Sequence, residues 1–369
     1  MVRKAVVVGA IGRRRKILKD VLESKGSKVI CFVDNICSER EYDGVPIIRD
    51  FEIEEYLGDF DGDVYLTFPT IDDRRRGFAE GVLSRFKGNI RVYNYRETYS
   101  FHKEALFLAR ELGDYWLSKN YDRERAYGVI EMFSDEKSKV LVSNWIAFRE
   151  TLDLSLIPDP EGDQYLPRDV PLIDSIPDRY SLLDLGAYDG DSLVFILSKL
   201  EGLGKAMDLY IAFEPDSRNF NKLRERVREL IDRKVQNTKF LLLKAGCSDE
   251  YRVLALHSDW EGSRLLDGER DARVDEWAYT MVADDVLNNV RVDLIKIDTE
   301  GFEMRCLRGL RKSIWKSRPI IAVSLYHRPE DIYEIPEFLQ QLCRDYSFYL
   351  RVHSTFFMGT VLYAVPKLR

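Results

Sequence analysis

One pattern occurs twice in the chain and constrains its fold more than any other feature. It consists of an apolar strand, a glycine turn, an amphipathic helix and a second apolar strand that ends in an acid. The first copy begins at Lys4–Gly12 and ends at Lys28–Asn35, and the second begins at Ser181–Ser192 and ends at Leu209–Pro215. Unbroken apolar strands that alternate with helices are typical of parallel sheets buried on both faces. Two such copies in 369 residues predict two α/β domains.

The balance of charges and the spacing of the cysteines exclude several classes of protein. The chain has 56 Lys and Arg residues against 63 Asp and Glu residues, which excludes a globally basic nucleic-acid binder. Its five cysteines form no CxxC pair, so they indicate reduced thiols rather than a disulfide scaffold or a zinc ribbon. The apolar run at the start is too short for a signal peptide. The sequence contains no run of roughly 18 apolar residues, so we expect no membrane span. We therefore expect a cytoplasmic protein without a nucleic-acid partner.

Further strands define the predicted domains. The first domain is a smaller Rossmann-like α/β domain over residues 1–98, with additional strands at Gly44–Ile48, Asp63–Pro69 and Ile90–Tyr95. Residues 99–180 are predicted to form a linker that is helical at first, and then extended because it carries five prolines. Residues 181–369 form the second predicted domain.

The strands of the second domain indicate a particular layout. They are expected at Thr238–Gly246, Val292–Asp298, Pro319–His327, Ser347–Ser354 and Thr360–Val365, in addition to the two strands of the repeated pattern. The last two lie close together without a helix between them, which predicts an antiparallel hairpin. A seven-stranded, mostly parallel sheet that ends in such a hairpin is the layout of class I methyltransferases, which use S-adenosylmethionine (SAM).

The glycine turn of the second domain is a candidate cofactor site. Gly186 and Gly190 follow the first strand, and Glu214 ends the next strand, where an acid can accept both hydroxyls of a ribose. This pairing serves NAD as well as SAM, but the turn lacks the three glycines of GxGxxG. SAM carries an ammonium and a sulfonium, which favour a nearby acid such as Asp184. The alternative is a tight turn that binds no ligand.

Five motifs in order give a family resemblance. The segments LLDLGAYDGDS, IAFEPDSRNFNKL, DLIKIDTEGFEMRCLRGL, RPIIAVSLYHRPEDIYEIP and YLRVHSTFFMGTVLYA together resemble the FkbM family of SAM-dependent methyltransferases. The resemblance covers roughly residues 135–369 and implies O-methylation of a sugar or glycoconjugate hydroxyl. The SAM contacts that we predict on this basis are Asp184, Gly186, Tyr188, Gly190, Glu214, Cys247 and Ser248.

Three further side chains are candidates for the chemistry. Asp298 ends the fourth strand, which lies beside the first strand in this fold, and Glu300 follows it. His327 ends the next strand at the same edge of the sheet. A sugar hydroxyl is a weak acid, so a base must take its proton during methyl transfer. We predict His327, Asp298 and Glu300 as catalytic residues, with either His327 or Asp298 as the base.

Several roles stay open at this stage. Glu303 either contacts the substrate or stabilises the first turn of the next helix. Arg264 belongs to a Ser-Arg pair that the family often shows, and it either binds an anionic group of the substrate or lies solvated on the surface. The acids and His327 could also hold Mg²⁺ or Mn²⁺, but no spacing demands a cation, so we assign no metal ligand.

The first domain carries half of a nucleotide site. Gly9, Gly12 and Asp34 occupy the positions that such a site requires, but a third glycine is absent. The segment resembles the N-terminal Rossmann-like domain of PglD-type sugar acyltransferases. Its arginines at Arg13–Arg15 could meet phosphates. The alternative is a docking or dimerisation domain whose glycines only shape turns.

The main functional hypothesis is a SAM-dependent O-methyltransferase whose substrate is a sugar, a nucleotide sugar or a glycoconjugate. One alternative is a nucleotide-sugar or NAD-dependent oxidoreductase, although no hydride-handling residue pair is evident. The other is a non-catalytic nucleotide-binding protein, which would be expected to carry a broken cofactor motif. Homo-oligomerisation stays open.

Overall fold

The computed structural model places the apolar strands of the first and the second predicted domain in two separate sheets. The structure describes residues 2–9, 13–35, 37, 39–68, 73–100, 121–151, 153–232, 238–258, 263–267, 274–354 and 357–367. Its first unit is Met1–Lys119, Ala147–Gly162 and Ser354–Phe356, and its second unit is Asn120–Ile146, Asp163–His353 and Phe357–Arg369. The predicted domain boundaries at residues 98 and 180 stay a prediction. The helix predicted from Leu106, Leu108, Ala109, Leu112 and Trp116 lies outside the described residues.

The first unit contains strands β1 to β6 and helices α1 to α4. The strands are β1 Arg3–Val8, β2 Ser27–Val33, β3 Glu41–Tyr42, β4 Val45–Ile48, β5 Gly62–Leu66 and β6 Ile90–Tyr93, and the helices are α1 Arg13–Ser24, α2 Ile53–Leu57, α3 Asp73–Leu83 and α4 Tyr95–Ser100. The sheet order is β3-β4-β2-β1-β5-β6, and β3 is antiparallel to β4 while the other neighbours are parallel. Ala5 and Val7 pack in one apolar cluster while Val6 and Val8 pack in another, so β1 is buried on both faces, as its unbroken apolar run predicts.

The second unit contains eleven strands in the part of the chain that the structure describes. They are β7 Arg179–Leu185, β8 Ala206–Phe213, β9 Lys239–Leu243, β10 Gly246–Ser248, β11 Arg252–Ser258, β12 Ser263–Leu266, β13 Glu276–Val282, β14 Leu294–Ile297, β15 Ile320–Ser324, β16 Tyr346–Val352 and β17 Thr360–Pro366. The remaining α-helices are α5 Arg123–Gly128, α6 Glu136–Thr151, α7 Asp191–Glu201, α8 Ser217–Asp232, α9 Ala283–Leu287, α10 Glu303–Gly309, α11 Arg311–Ser317 and α12 Asp331–Leu342. Short 3₁₀ turns lie at Asp50–Glu52, Ile130–Met132, Leu154–Leu156 and Ile173–Ser175.

A seven-stranded sheet forms the centre of the second unit. Its order is β16-β17-β15-β14-β7-β8-β9, and β17 runs antiparallel to both of its neighbours. The predicted fold class, a mostly parallel sheet with a terminal antiparallel hairpin, is therefore confirmed. The strand order reverses between β7 and β14, which pair in parallel from Leu182 and Leu294 onward. The carboxyl edge at such a reversal is where ligands bind in open α/β sheets.

A four-stranded sheet, with the order β10-β13-β11-β12, was missed by the sequence analysis. Its strands show the alternation of a half-buried sheet, because Leu254 and Ala278 are buried while Val253, Trp277 and Tyr279 are exposed. The exposed positions are themselves apolar, so the alternation of apolar and polar residues that reveals such a strand is absent. Across the described residues, no helix is long and apolar enough to cross a membrane.

Candidate functional site

The glycine turn after β7 is fixed by the two neighbouring strands. Gly186 has a φ of +76°, and a Cβ at this position would lie 1.8 Å from the carbonyl oxygen of Asp298. The backbone N–H groups of Gly186 and Ala187 both donate to the carbonyl oxygen of Phe213, each at 3.0 Å. Only glycine meets both requirements, because the conformation is left-handed and the neighbouring backbone is too close for a side chain. The turn therefore presents bare backbone at the strand-order reversal.

Glu214 lies directly after β8 and beside this turn. One carboxylate oxygen accepts the N–H of Tyr188 at 2.8 Å, the other accepts the N–H of Asp216 at 2.9 Å, and the residue is 4% exposed. Burial raises the pKa of Glu214 to about 7, although these two hydrogen bonds favour the ionised form. A carboxylate has about four lone-pair sites, so two acceptor sites remain. This is the acceptor capacity that the two hydroxyls of a ribose require.

The predicted cofactor residue Asp184 is fully buried below the turn. Its carboxylate accepts the hydroxyls of Ser192 and Tyr210, at 2.8 and 2.9 Å, and pairs with the ammonium of Lys296 at 3.1 Å. Lys296 also donates to the carbonyl oxygen of Gly186. Burial favours loss of the Lys296 proton, but Asp184 and Asp298 outweigh it and raise the pKa of Lys296. Asp184 therefore holds the turn through Lys296, a residue that the sequence analysis did not single out.

Asp298 lies across the turn, at the end of β14. Its two carboxylate oxygens accept the hydroxyls of Tyr165 at 2.7 Å and Tyr326 at 3.2 Å. Burial alone would raise the pKa of Asp298, but the positive charges of His327 and Lys296 lower it overall. The carboxylate therefore stays ionised at the carboxyl edge of the sheet. Neither tyrosine was among the predicted site residues.

His327 is surrounded by three carboxylates. Its Nδ1 lies 2.8 Å from Oε1 of Glu303, and its Nε2 lies 3.4 Å from Oε2 of Glu300 and 3.7 Å from Oδ1 of Asp298. Burial would lower the pKa of His327, but these carboxylates outweigh it and raise the pKa to about 10. Asp298, Glu300 and Glu303 therefore lie in one cluster around His327. A base role for His327 would first require this proton to leave, and it stays a prediction.

The other predicted residues occupy different parts of the second unit. Cys247 and Ser248 lie in β10 and are buried. Arg264 lies exposed on β12, in the four-stranded sheet. Its neighbour Ser263 donates to the carboxylate of Asp216 at 2.9 Å, which ties β12 to the segment that follows Glu214. Gly190 has a φ of +83° and lies directly before α7, and Tyr188 is 42% exposed beside the turn.

Comparison with known proteins supports a methyltransferase. Residues 184–348 match the family model described as the methyltransferase FkbM domain. The crystal structure of methyltransferase FkbM from Methylobacillus flagellatus KT is similar to this chain, with a TM-score of 0.60 and 19% identity over 98% of this chain and 90% of that chain. This second likeness shows the fold alone. No curated protein matches the sequence.

Two further solved structures resemble part of the chain only weakly. An rRNA methylase from Streptococcus thermophilus has a TM-score of 0.34 and 14% identity, over 54% of this chain and 92% of that chain. A methyltransferase from Geobacter sulfurreducens has a TM-score of 0.32 and 13% identity, over 66% and 96%. These likenesses carry no argument. The family match and the seven-stranded sheet agree, and the oxidoreductase alternative finds no support in them. The chain is therefore a methyltransferase whose residues 184–348 match the FkbM domain.

Proposed function

We propose that the chain transfers a methyl group from SAM to a hydroxyl of a sugar or glycoconjugate. The observation that carries the cofactor assignment is the pair of acceptor sites on Glu214 that no described residue occupies, next to a turn where a side chain cannot fit. This combination suits a nucleoside, because a ribose offers two adjacent hydroxyls and the adjoining group can approach bare backbone. When bound, SAM supplies an electrophilic methyl group on its sulfonium sulfur.

In this proposal the residues around the turn hold the cofactor. Glu214 accepts the ribose hydroxyls, Gly186 and Gly190 leave space, and Tyr188 donates its backbone N–H to keep Glu214 in position. Cys247 and Ser248 contact the adenine, as the resemblance implies. Asp184 supports the cofactor site indirectly, by holding the turn, because its carboxylate is already bound by three partners.

The acceptor end of the site consists of Asp298, Glu300 and His327. Carboxylates accept hydrogen bonds strongly from hydroxyl donors, so this cluster suits a polyhydroxylated acceptor rather than an apolar one. It orients the acceptor oxygen, and such positioning supplies much of the rate of an in-line displacement. Glu303 is fully buried and holds Nδ1 of His327, so it supports the cluster from behind. Arg264 binds an anionic group on the substrate.

The cofactor assignment is tested by calorimetry with the demethylated product, S-adenosylhomocysteine (SAH). Glu214→Ala removes charge-assisted contacts worth about 2–3 kcal/mol, so we expect SAH affinity to fall roughly 30- to 150-fold. Glu229→Ala, an exposed acid on α8, is the matched control and should bind SAH like the wild type. Unchanged SAH affinity in Glu214→Ala would sink the assignment.

The acceptor class is tested by SAH release from SAM with a panel of glycosides and their matched deoxy analogues. Release that requires the hydroxyl supports O-methylation of a sugar. Release with amines but with none of the hydroxylated acceptors would contradict it.

A further inference from the structure

We propose that Asp298, Glu300 and His327 bind a divalent cation, and that Glu303 positions His327 for this role. The site itself goes beyond the proposed function, because cation binding does not require methyl transfer. What the cation would do for the acceptor rests on the proposed function.

Two carboxylate oxygens lie close to Nε2 of His327. Nε2 of His327 lies 3.4 Å from Oε2 of Glu300 and 3.7 Å from Oδ1 of Asp298. Neighbouring ligands of an octahedral cation with bonds of about 2.1 Å are roughly 3 Å apart. Each of the two oxygens therefore lies less than about 1 Å beyond the distance from Nε2 that two ligands of one ion would have.

His327 supplies an observation independent of the acids. Its side chain is 8% exposed, and its Nε2 makes no hydrogen bond among the residues that the structure describes. A buried polar atom without a hydrogen bond costs free energy, so it requires an explanation. The same atom points at two carboxylates. A cation between them would satisfy the ring nitrogen and neutralise both acids at once.

Glu303 gives the ring the orientation that a metal ligand needs. Its Oε1 lies 2.8 Å from Nδ1 of His327 and also accepts the N–H of Thr299 at 2.7 Å, so the carboxylate is fixed. Metal-binding histidines almost always donate their second N–H to such a group, which leaves the other nitrogen free to coordinate. Asp298, Glu303 and His327 all offer ligand atoms within 4.8 Å of one another. Oε1 of Glu303, however, already accepts from the N–H and the hydroxyl of Thr299 and lies against Nδ1 of His327. We therefore assign Glu303 as a positioning residue.

The ligand set indicates the class of cation. Two carboxylates and one imidazole suit an octahedral ion such as Mn²⁺ or Mg²⁺, which keeps open positions for water or for an acceptor hydroxyl. A hydroxyl on such an ion loses its proton more readily. The cation would thus lower the pKa of the acceptor hydroxyl, and the proton would pass to solvent water as the methyl group is transferred.

The competing explanation is an ion cluster in which a protonated His327 alone balances the carboxylates. The test uses full-length protein freed of metal with EDTA and dialysed, then titrated with MnCl₂ and followed by electron paramagnetic resonance. We expect one bound Mn²⁺ per chain, with coupling from an imidazole nitrogen in the pulsed spectrum. Absence of Mn²⁺ binding, or binding without nitrogen coupling, would overturn the proposal, and this readout needs no variant.

Variants then assign the ligands. His327→Ala and Asp298→Asn should lower Mn²⁺ affinity at least about tenfold, and Glu303→Gln should lower it roughly 10- to 100-fold. His257→Ala is the matched control, because His257 also faces a carboxylate, Asp275 at 2.8 Å, but lies in the four-stranded sheet. Equal affinity in His327→Ala and His257→Ala would contradict the assignment. SAH calorimetry on metal-free protein separates this outcome from failure of the proposed function, because SAH binding does not depend on the cation.

Discussion

Each unit has an acid directly after the second strand of the repeated pattern, but the two acids have different partners. In the first unit Asp34 follows β2 and pairs with the guanidinium of Arg15 at 3.2 Å, and both side chains are almost fully buried. In the second unit Glu214 follows β8 and is held by two backbone N–H groups. No ion pair reaches Glu214 among the described residues. We infer that the carboxylate of Asp34 serves the stability of the fold, whereas Glu214 keeps acceptor sites for a ligand.

The glycines of the two turns also differ, in the space that surrounds each of them. Gly9 and Gly186 both have a positive φ, at +83° and +76°. A Cβ on Gly9 would meet the ring of Phe68 at 2.5 Å, which is a side chain that can move, whereas a Cβ on Gly186 would meet the backbone of Asp298. The second turn is therefore the more tightly constrained of the two.

The largest expected effect follows from this difference. Gly186→Ala should cost about 4 kcal/mol or more, because it combines left-handed strain with a clash against backbone. Gly9→Ala should cost about 1–2 kcal/mol, which is the conformational part alone. Urea unfolding measures both. Gly204→Ala, with a φ of +76° and nothing within 4 Å of the added Cβ, is the control for the conformational part. Equal losses for Gly9→Ala and Gly186→Ala would remove the distinction.

A smaller effect distinguishes the two acids. Arg15→Met leaves the buried carboxylate of Asp34 without its cation, and breaking such a pair costs about 3 kcal/mol. Glu214→Gln breaks no ion pair, but its amide NH₂ faces one of the two backbone N–H donors, so it should cost about 1–2 kcal/mol, less than Arg15→Met. Lys16→Met, on an exposed side chain of the same helix, controls for loss of charge. If Arg15→Met unfolds at the wild-type urea concentration, Asp34 does not depend on Arg15.

Local pattern accounts for the parts of the site that sequence could predict. Gly186, Glu214 and Asp298 stand at strand ends, and parallel strands that end at one edge bring such residues together. The partners of Asp298 could not be found in this way. Tyr165 lies 133 residues before it, and no spacing rule joins the two. Lys296 had one available signal, since a lone charge in the buried strand LIKI must have a partner.

The direction of the side chains below the turn also could not be predicted from the sequence. Asp184 was predicted to face the cofactor, but its environment depends on Lys296, Ser192 and Tyr210, which come from three different elements. Sequence indicates the end of the strand at which an acid stands. It does not indicate which cation or hydroxyl neutralises that acid, because this depends on tertiary packing. The same limit explains why Asp34 and Glu214 look alike in sequence.

The smallest expected effect is the pH dependence of SAH binding. It tests whether Glu214 is the acid that accepts the ribose hydroxyls. Burial, together with the charge of Asp216, raises the pKa of Glu214 to about 7, although its two backbone hydrogen bonds and Lys296 act in the opposite direction. Ribose hydroxyls donate hydrogen bonds to a carboxylate, so binding favours the ionised form. SAH affinity should therefore be constant above this pKa and fall by up to about tenfold per pH unit below it.

Calorimetry in two buffers of different ionisation enthalpy gives the number of protons released on binding. We expect about half a proton near pH 7 and almost none near pH 8, because Glu214 is already ionised there. Glu214→Gln should bind more weakly and lose this pH dependence. Asp34→Asn should leave it unchanged, because the acid of the first unit has no part in SAH binding. A pH dependence that survives in Glu214→Gln would assign the titrating group to another residue and end the contrast between the two acids.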